Sequence, residues 1–317
     1  MNTIKIGVIM DPIENINTKK DSSFAMMLAA QKKHWEIYYI RPQDLYISDS
    51  KVRTSASKIQ LEDNPENWYQ AEQAVDLSVD FFDVLLMRLD PPFNMDYVYI
   101  TYLLELAEQQ GALVVNKAAS IRDANEKLFT SQFPQCCVAN LVSCHKNQLK
   151  AFIFKHNDVI LKPLDGMGGA SIFRVRANDP NLNVIIETLT DNGTKMTMAQ
   201  QFIPAITEGD KRILLIDGEA VPYALARIPA KGETRGNLAA GGSAIGQPLS
   251  ERDRWICQQV GPTLKARGLL FVGIDVIGDY LTEINVTSPT CIRELDAQFG
   301  LDIATDLMNL IETKLAS

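Results

Sequence analysis

The chain has 317 residues, 46% hydrophobic and 22% charged, fractions that exclude a disordered or collagen-like chain and predict two or three domains. Its 31 Lys+Arg against 39 Asp+Glu give a net charge of −8 with no basic stripe, which excludes nucleic acid as the main ligand. No apolar run reaches the roughly 18 residues of a membrane span, so no membrane partner is expected.

In chain order, Ile4–Met10 reads as a buried strand ending at Asp11-Pro12. A helix through Phe24–Ala30 follows, with Ser22 or Ser23 as its cap. Strands follow at Glu36–Ile40, Phe82–Leu89 and Ala112–Asn116, and a helix at Asp96–Gln110 closes at Gly111. Alternating strands and helices predict a parallel sheet covered on both faces, a Rossmann-like α/β domain over residues 1–122. The loop after the first strand is Met10-Asp11-Pro12-Ile13. It lacks G-x-G-x-x-G, which argues against a nicotinamide dehydrogenase.

The second half predicts an α+β arrangement. Helices are expected at Asp123–Phe133, carrying Lys127, and at Leu149–Lys155. A strand, a glycine loop over Asp165–Ala170 and a second strand span Val159–Val175, and Met196–Ile203 is another strand. Arg212–Ile216 and Val221–Ala226 form a hairpin through Asp217-Gly218. Residues 230–246 read as nearly structureless, Arg252–Lys265 as a helix, Leu270–Asn285 as a last hairpin and Leu301–Leu315 as the closing helix.

Cysteine usage points to a reducing compartment. Cys136, Cys137, Cys144, Cys257 and Cys291 are odd in number with no C-x-x-C, and His34, His145 and His156 are scattered. The N-terminus has no signal-peptide pattern. A cytoplasmic protein is expected.

Several groups carry chemistry. The glycine loop lets backbone N–H groups approach phosphate oxygens closely. It is not a Walker A loop; it resembles a flap between two strands, with Lys127 and Lys162 at hand for phosphate charge. In the last hairpin Glu283 and Asn285 share a strand face, with Asp275 on the partner strand. Such oxygen donors suit Mg²⁺. A plain two-residue turn at Gly278-Asp279 would put Asp275 and Glu283 on opposite faces, so the site requires an odd or bulged connection. Arg88, Arg212, Arg227, Arg235 and Arg293 are available for carboxylates or phosphates. Residues 231–242, with four glycines, suit a lid that excludes water.

These residues, with the runs Met87–Phe93, Asn125–Phe129, Leu161–Val175, Asp210–Arg212, Ala226–Pro229, Gly232–Gly242 and Thr282–Thr290, resemble the ATP-grasp superfamily and, more narrowly, its bacterial glutathione synthetase family. Leu89 departs from the family pattern, which has a charged residue there. The resemblance implies an ATP-grasp fold after the Rossmann-like domain: a small lid domain over 123–200 and a larger C-terminal domain over 201–317. It implies a ligase joining γ-glutamylcysteine to glycine, with ATP consumed through an acyl phosphate. By the same resemblance Lys127, Lys162, Gly166, Gly168, Gly169, Gln200, Gln201, Phe202, Ile203 and Asp210 bind ATP. Asp275, Glu283 and Asn285 hold two Mg²⁺, with Mn²⁺ as a substitute. Arg88, Asn285, Ser288 and Arg293 orient the peptide, Arg212, Arg227 and Arg235 serve catalysis, and the protein is a homotetramer. Another ATP-grasp ligase or a non-enzymatic ATP-binding protein of this fold are the rival readings.

Overall fold

The computed structural model describes residues 3–166, 169–230 and 243–316, and three sheets organise them. The first begins with β1 (Lys5–Ile9), followed by α1 (Ser22–Lys32) and β2 (Glu36–Ile40). Then come β3 (Leu45–Ser48), β4 (Lys51–Leu61), β5 (Tyr69–Ala71), β6 (Val75–Ser78), β7 (Val84–Met87), α2 (Met95–Gln109), β8 (Leu113–Val115) and α3 (Ala118–Arg122). The strand order is β3-β4-β2-β1-β7-β8, with β5 and β6 also on β4. β2, β1, β7 and β8 run parallel, as the alternating pattern predicts. Ile6, Val8 and Ile9 are fully buried because helices cover both faces. Each such side chain contributes roughly 1.5–3 kcal/mol of burial.

Two details differ from expectation. Asp21, not a serine, caps α1 by accepting the Phe24 N–H at 2.6 Å. That frees Ser23 Oγ to accept from Arg88 Nε at 3.0 Å and Ser22 Oγ to accept from the Ile292 N–H at 3.2 Å, so the helix start ties distant segments together. β3–β6 form an antiparallel extension with many half-exposed positions.

The second sheet, ordered β11-β10-β12-β9, is built from β9 (Asn140–Ser143), α4 (Lys146–His156), β10 (Asp158–Pro163), β11 (Phe173–Arg176), α5 (Leu182–Leu189) and β12 (Thr197–Gln201). The third, ordered β15-β14-β13-β16-β17, uses β13 (Asp210–Ile216), β14 (Glu219–Ile228), β15 (Ser243–Pro248), α6 (Glu251–Ala266), β16 (Phe271–Ile277) and β17 (Tyr280–Asn285). The chain closes with α7 (Ile292–Phe299) and α8 (Ile303–Leu315). α8 packs on α1, and its Glu312 accepts from Trp35 Nε1 at 3.2 Å. Both later sheets are antiparallel.

The expected helix over Asp123–Phe133 is corrected. α3 stops at Arg122, and only a 3-10 turn at Leu128–Gln132 follows. The Asn125 side chain accepts the N–H groups of Lys127 at 3.1 Å and Leu128 at 2.9 Å, a local bond that competes with helix. The Glu126 carbonyl accepts the Ile284 N–H at 2.8 Å instead of an N–H four residues on. Residues 243–246 are likewise corrected from loop to strand: Ser243 pairs with Ile228 and Gly246 with Leu225. A side chain at Gly246 would meet the Phe299 ring at 2.3 Å, so only glycine fits where β15 crosses α7. Residues 231–242, including Arg235, and Gly168 lie outside the described residues.

Candidate active site

A cavity of about 440 Å³ opens between the second and third sheets. β10, the end of β12 and the two residues after it form one wall through Ile160, Lys162 and Gln200–Ile203. β13, β14, β16 and β17 form the other through Asp210, Arg212, Arg227, Asp275, Glu283 and Asn285. Gly166 and Gly169 line it from the glycine loop, and Asp90, Pro91 and Ser288 line the side towards the first sheet.

Strand register sets the charged wall. Arg212 pairs with Asp275 across β13 and β16, and Asp275 with Glu283 across β16 and β17. The bulge the parity argument requires is present: Val276 pairs with Leu281, which leaves Thr282 as the extra residue. Its hydroxyl donates to the Asp275 carbonyl at 3.0 Å, satisfying the kinked backbone. Gly273 leaves room for the arginine, because a Cβ there would stand 2.8 Å from Arg212 Cδ.

Asp275 anchors two guanidinium groups. Arg212 Nε donates to its Oδ1, and Arg212 Nη2 and Arg227 Nη2 reach Oδ2 at 2.9 Å each. Burial pushes the Asp275 carboxyl up, but the two arginines outweigh it and hold the group well below the carboxylate range. Arg227 also donates to Asp210 Oδ2 at 2.5 Å. Burial raises Asp210 to about 6 against the pull of Arg227, and Asp210 Oδ1 is buried without a partner among the described residues.

Glu283 is freer. Its Oε1 lies 3.6 Å from Lys127 Nζ and 3.8 Å from Lys162 Nζ. Lys127, 2% exposed, donates to Glu126 and, at 2.7 Å, to the Gly166 carbonyl. Burial lowers its pKa, yet Glu283 and Glu126 raise it on balance. For Lys162 burial prevails over Glu283, and its pKa falls. The Lys162 ammonium makes no hydrogen bond among the described residues and has only the 3.8 Å approach to Glu283, so its charge is the least satisfied in the cavity. The Asn285 amide nitrogen donates to the Gly273 carbonyl at 3.2 Å and faces Asp275 Oδ2 at 3.4 Å, leaving the amide oxygen as an acceptor.

Glu126 is a cavity residue that sequence reasoning missed. Its carboxylate accepts from Lys127, which lies between it and Glu283, and burial followed by the Glu283 charge raises its carboxyl. Two residues expected on the substrate side do not line the cavity. Buried Arg88 donates to Ser23 and, through Nη2, to the Pro289 carbonyl at 2.9 Å. Arg293 pairs with Asp63, Nη2 lying 2.9 Å from both carboxylate oxygens. Ser288 does line it and donates to Asp90.

The donor chemistry fits a divalent cation shared with a phosphate. Among the described residues no group of three or more His, Cys, Asp or Glu forms a closed metal cage. Mg²⁺ takes one or two carboxylates, with waters and substrate phosphates filling the rest. Among the described lining residues, four cations (Lys127, Lys162, Arg212, Arg227) face five carboxylates (Asp90, Glu126, Asp210, Asp275, Glu283). Among the described residues a polyphosphate finds no cationic surplus, which suits binding together with a metal cation.

Comparison with known proteins identifies the family. The prokaryotic glutathione synthetase N-terminal domain profile matches residues 4–122, and the prokaryotic glutathione synthetase ATP-grasp domain profile matches residues 126–300. The chain is 58% identical over 313 residues to a glutathione synthetase of Pseudomonas syringae pv. tomato, spanning 99% of this chain and 98% of that protein. Among solved structures it is similar to the D-cycloserine synthetase DcsG, with TM-score 0.67 and 12% identity over 98% of this chain and 99% of that one. It is also similar to the ATP-grasp ligase PsnB complexed with minimal precursor, Mg and ADP, with TM-score 0.61 and 16% identity over 98% of each chain. These two likenesses concern the fold.

Proposed function

The chain belongs to the prokaryotic glutathione synthetase family and is a carbon–nitrogen ligase of the ATP-grasp fold, and from that premise we propose how its residues divide the reaction between γ-glutamylcysteine, glycine and ATP. The rival readings, another ATP-grasp ligase or a non-enzymatic nucleotide binder, give way to the family match. The observation that carries the residue assignment is convergence on Glu283: Lys127 and Lys162 approach it from one side, and Asp275 pairs with it on the other.

A carboxylate is a poor electrophile for an amine, so its oxygen first takes the γ-phosphoryl group of ATP, giving an acyl phosphate and ADP. Two anions meet in that step. Lys127, Lys162 and Arg227 offset the charge on the transferred group. Gly166 and Gly169 offer backbone N–H groups to the phosphates, with Gly168 assigned there on family resemblance alone; Gln200–Ile203 border the base, and the free oxygen of Asp210 suits a ribose hydroxyl. Asp275, Glu283 and Asn285 would hold Mg²⁺, two ions per site with Mn²⁺ as a substitute, and when bound it supplies charge neutralisation at the phosphates. Asp275 is the most saturated of the three, so Glu283 and Asn285 offer the freer oxygens.

The glycine amine then attacks the acyl carbon, the C–O bond to phosphate breaks, and a proton leaves the nitrogen as the amide forms. Arg212, held flat by Asp275, faces the developing oxyanion. Asn285 and Ser288 border the peptide; Arg88 acts behind them by fixing the Pro289 carbonyl. Arg293 is assigned to the peptide, and Arg235 with the 231–242 lid to closure, on family resemblance alone. A cytoplasmic homotetramer completes the reading. It draws support from five free cysteines among the described residues and from exposed Met95, Tyr99 and Tyr102 at helical spacing on α2.

Phosphate release tests the function directly. Full turnover requires ATP, Mg²⁺, γ-glutamylcysteine and glycine together, and dropping any one abolishes it. Lys162→Met separates its ligands. ATP affinity falls by about 10- to 100-fold, the worth of a charge-assisted bond. Affinity for γ-glutamylcysteine changes little, and the thermal midpoint does not fall, because an ill-satisfied buried charge is gone. Calorimetric titration of each ligand and a melting curve check both halves.

A further inference from the structure

Arg174 does not line the cavity, yet its guanidinium carbon stands 3.5 Å from the centroid of the Phe202 ring, which does line it. The guanidinium is gripped by Asp158: Nε donates to Oδ1 at 2.8 Å and Nη2 to Oδ2 at 2.6 Å. A two-point fork fixes the plane of the group as well as its position, which a lysine cannot do. Asp158 also accepts the Phe202 N–H on its backbone carbonyl at 3.0 Å. One residue at the start of β10 therefore holds Phe202 twice, by the backbone directly and by the ring through Arg174.

Strand register explains the placement. Arg174 pairs with Ile160, and Ile160 pairs with Gln200. The three form one row on the sheet face turned to the cavity; Ile160 and Gln200 border it, and Arg174 stands at the rim. The Arg174 and Asp158 side chains are 32% and 26% exposed, so as an ion pair they add little stability. Their geometry is that of a brace against the cavity wall.

We propose that Asp158 and Arg174 are a positioning pair that fixes Phe202, and with it the Gln200–Ile203 linker, for the base of the nucleotide. The inference rests on the reading of the cavity as the ATP site. Neither residue touches the reacting atoms. Loosening the linker weakens ATP equally in the ground and transition states, which raises KM and spares kcat.

The test is steady-state kinetics with direct ATP titration on Arg174→Ala, Arg174→Lys, Asp158→Asn and the double variant Asp158→Asn/Arg174→Ala. Arg174→Ala raises KM and Kd for ATP about fivefold, the scale of a part-exposed cation–ring contact. Its kcat stays within about twofold, and KM for γ-glutamylcysteine and glycine is unchanged. Arg174→Lys recovers only part of the loss. The double variant is no worse than Arg174→Ala, because the two residues act as one unit. ATP constants within about twofold of the parent overturn the proposal. So does an equal loss for all three substrates together with a lowered melting point, the signature of a merely structural role. If the parent protein itself binds no ATP in the same titration, the cavity reading falls and the proposal with it, a result distinct from either of the others.

Discussion

Glu283→Gln abolishes ligation and leaves the fold intact. The substitution keeps shape and removes one charge from a side chain that is 22% exposed. Lys127 retains Glu126 and the Gly166 carbonyl as partners; Lys162 loses its ion-pair partner, but burial already disfavours its charge, so it sheds the proton rather than keeping an unpaired ammonium. The strand pairing with Asp275 is a backbone matter and persists. What disappears is the freest carboxylate on the wall where the phosphates must lie. The rate of phosphate release falls by about a thousandfold, on the scale of losing a principal electrostatic contact in a phosphoryl-transfer site. Far-ultraviolet circular dichroism and the melting point match the parent. Raising Mg²⁺ tenfold restores little, because an amide oxygen carries no net charge. Full turnover at ordinary Mg²⁺ would falsify the assignment of Glu283.

Where side-chain period and backbone geometry agree, the sequence is a good guide. Alternation along Leu281–Val286 puts Glu283 and Asn285 on one face, and parity alone demands the bulge that Thr282 supplies. The parallel strands of the first sheet are legible because burial on both faces makes them continuous apolar runs. The rest lacks a local signal. α7 begins at Cys291, with φ 92° and no capping side chain, so nothing marks its start. β3–β6 are short or half exposed and carry mixed polarity. Glu126 belongs to no regular element; a distant strand, through the Ile284 N–H, fixes its backbone. Arg88 stands just past the end of β7, as a cleft residue should, but position in the chain does not say which way a long side chain turns. Ser23 and the Pro289 carbonyl decide that, and both are remote in sequence.

Asp275 separates from Glu283 in what its loss does. Asp275 is 3% exposed and lies between the buried Arg212 and the largely buried Arg227. Asp275→Asn leaves Arg212 without its carboxylate and Arg227 with Asp210 alone. Breaking a buried pair from one side costs about 3–5 kcal/mol, so the variant is inactive and also melts several degrees lower. Acid narrows the difference between the two proteins. The folded carboxyl is held below its usual range, so its stabilisation is complete above the unfolded value of about 3.9 and fades as pH falls through the lower folded value. The gap in unfolding free energy between parent and Asp275→Asn therefore narrows below about pH 4, because the amide does not titrate. A second variant isolates the cause. Arg212→Met/Asp275→Leu replaces both partners by apolar groups of similar volume, which is commonly neutral or stabilising for a buried pair. It recovers much of the lost stability while phosphate release stays absent, since the row Arg212–Asp275–Glu283 has lost two of its three charges. Denaturant titrations at pH 7 and at about pH 2.5, inside the window where the carboxyl's stabilisation fades, read beside the activity assay, distinguish this from general damage. If the double variant is as unstable as Asp275→Asn, the stranded guanidinium is not what destabilises the fold.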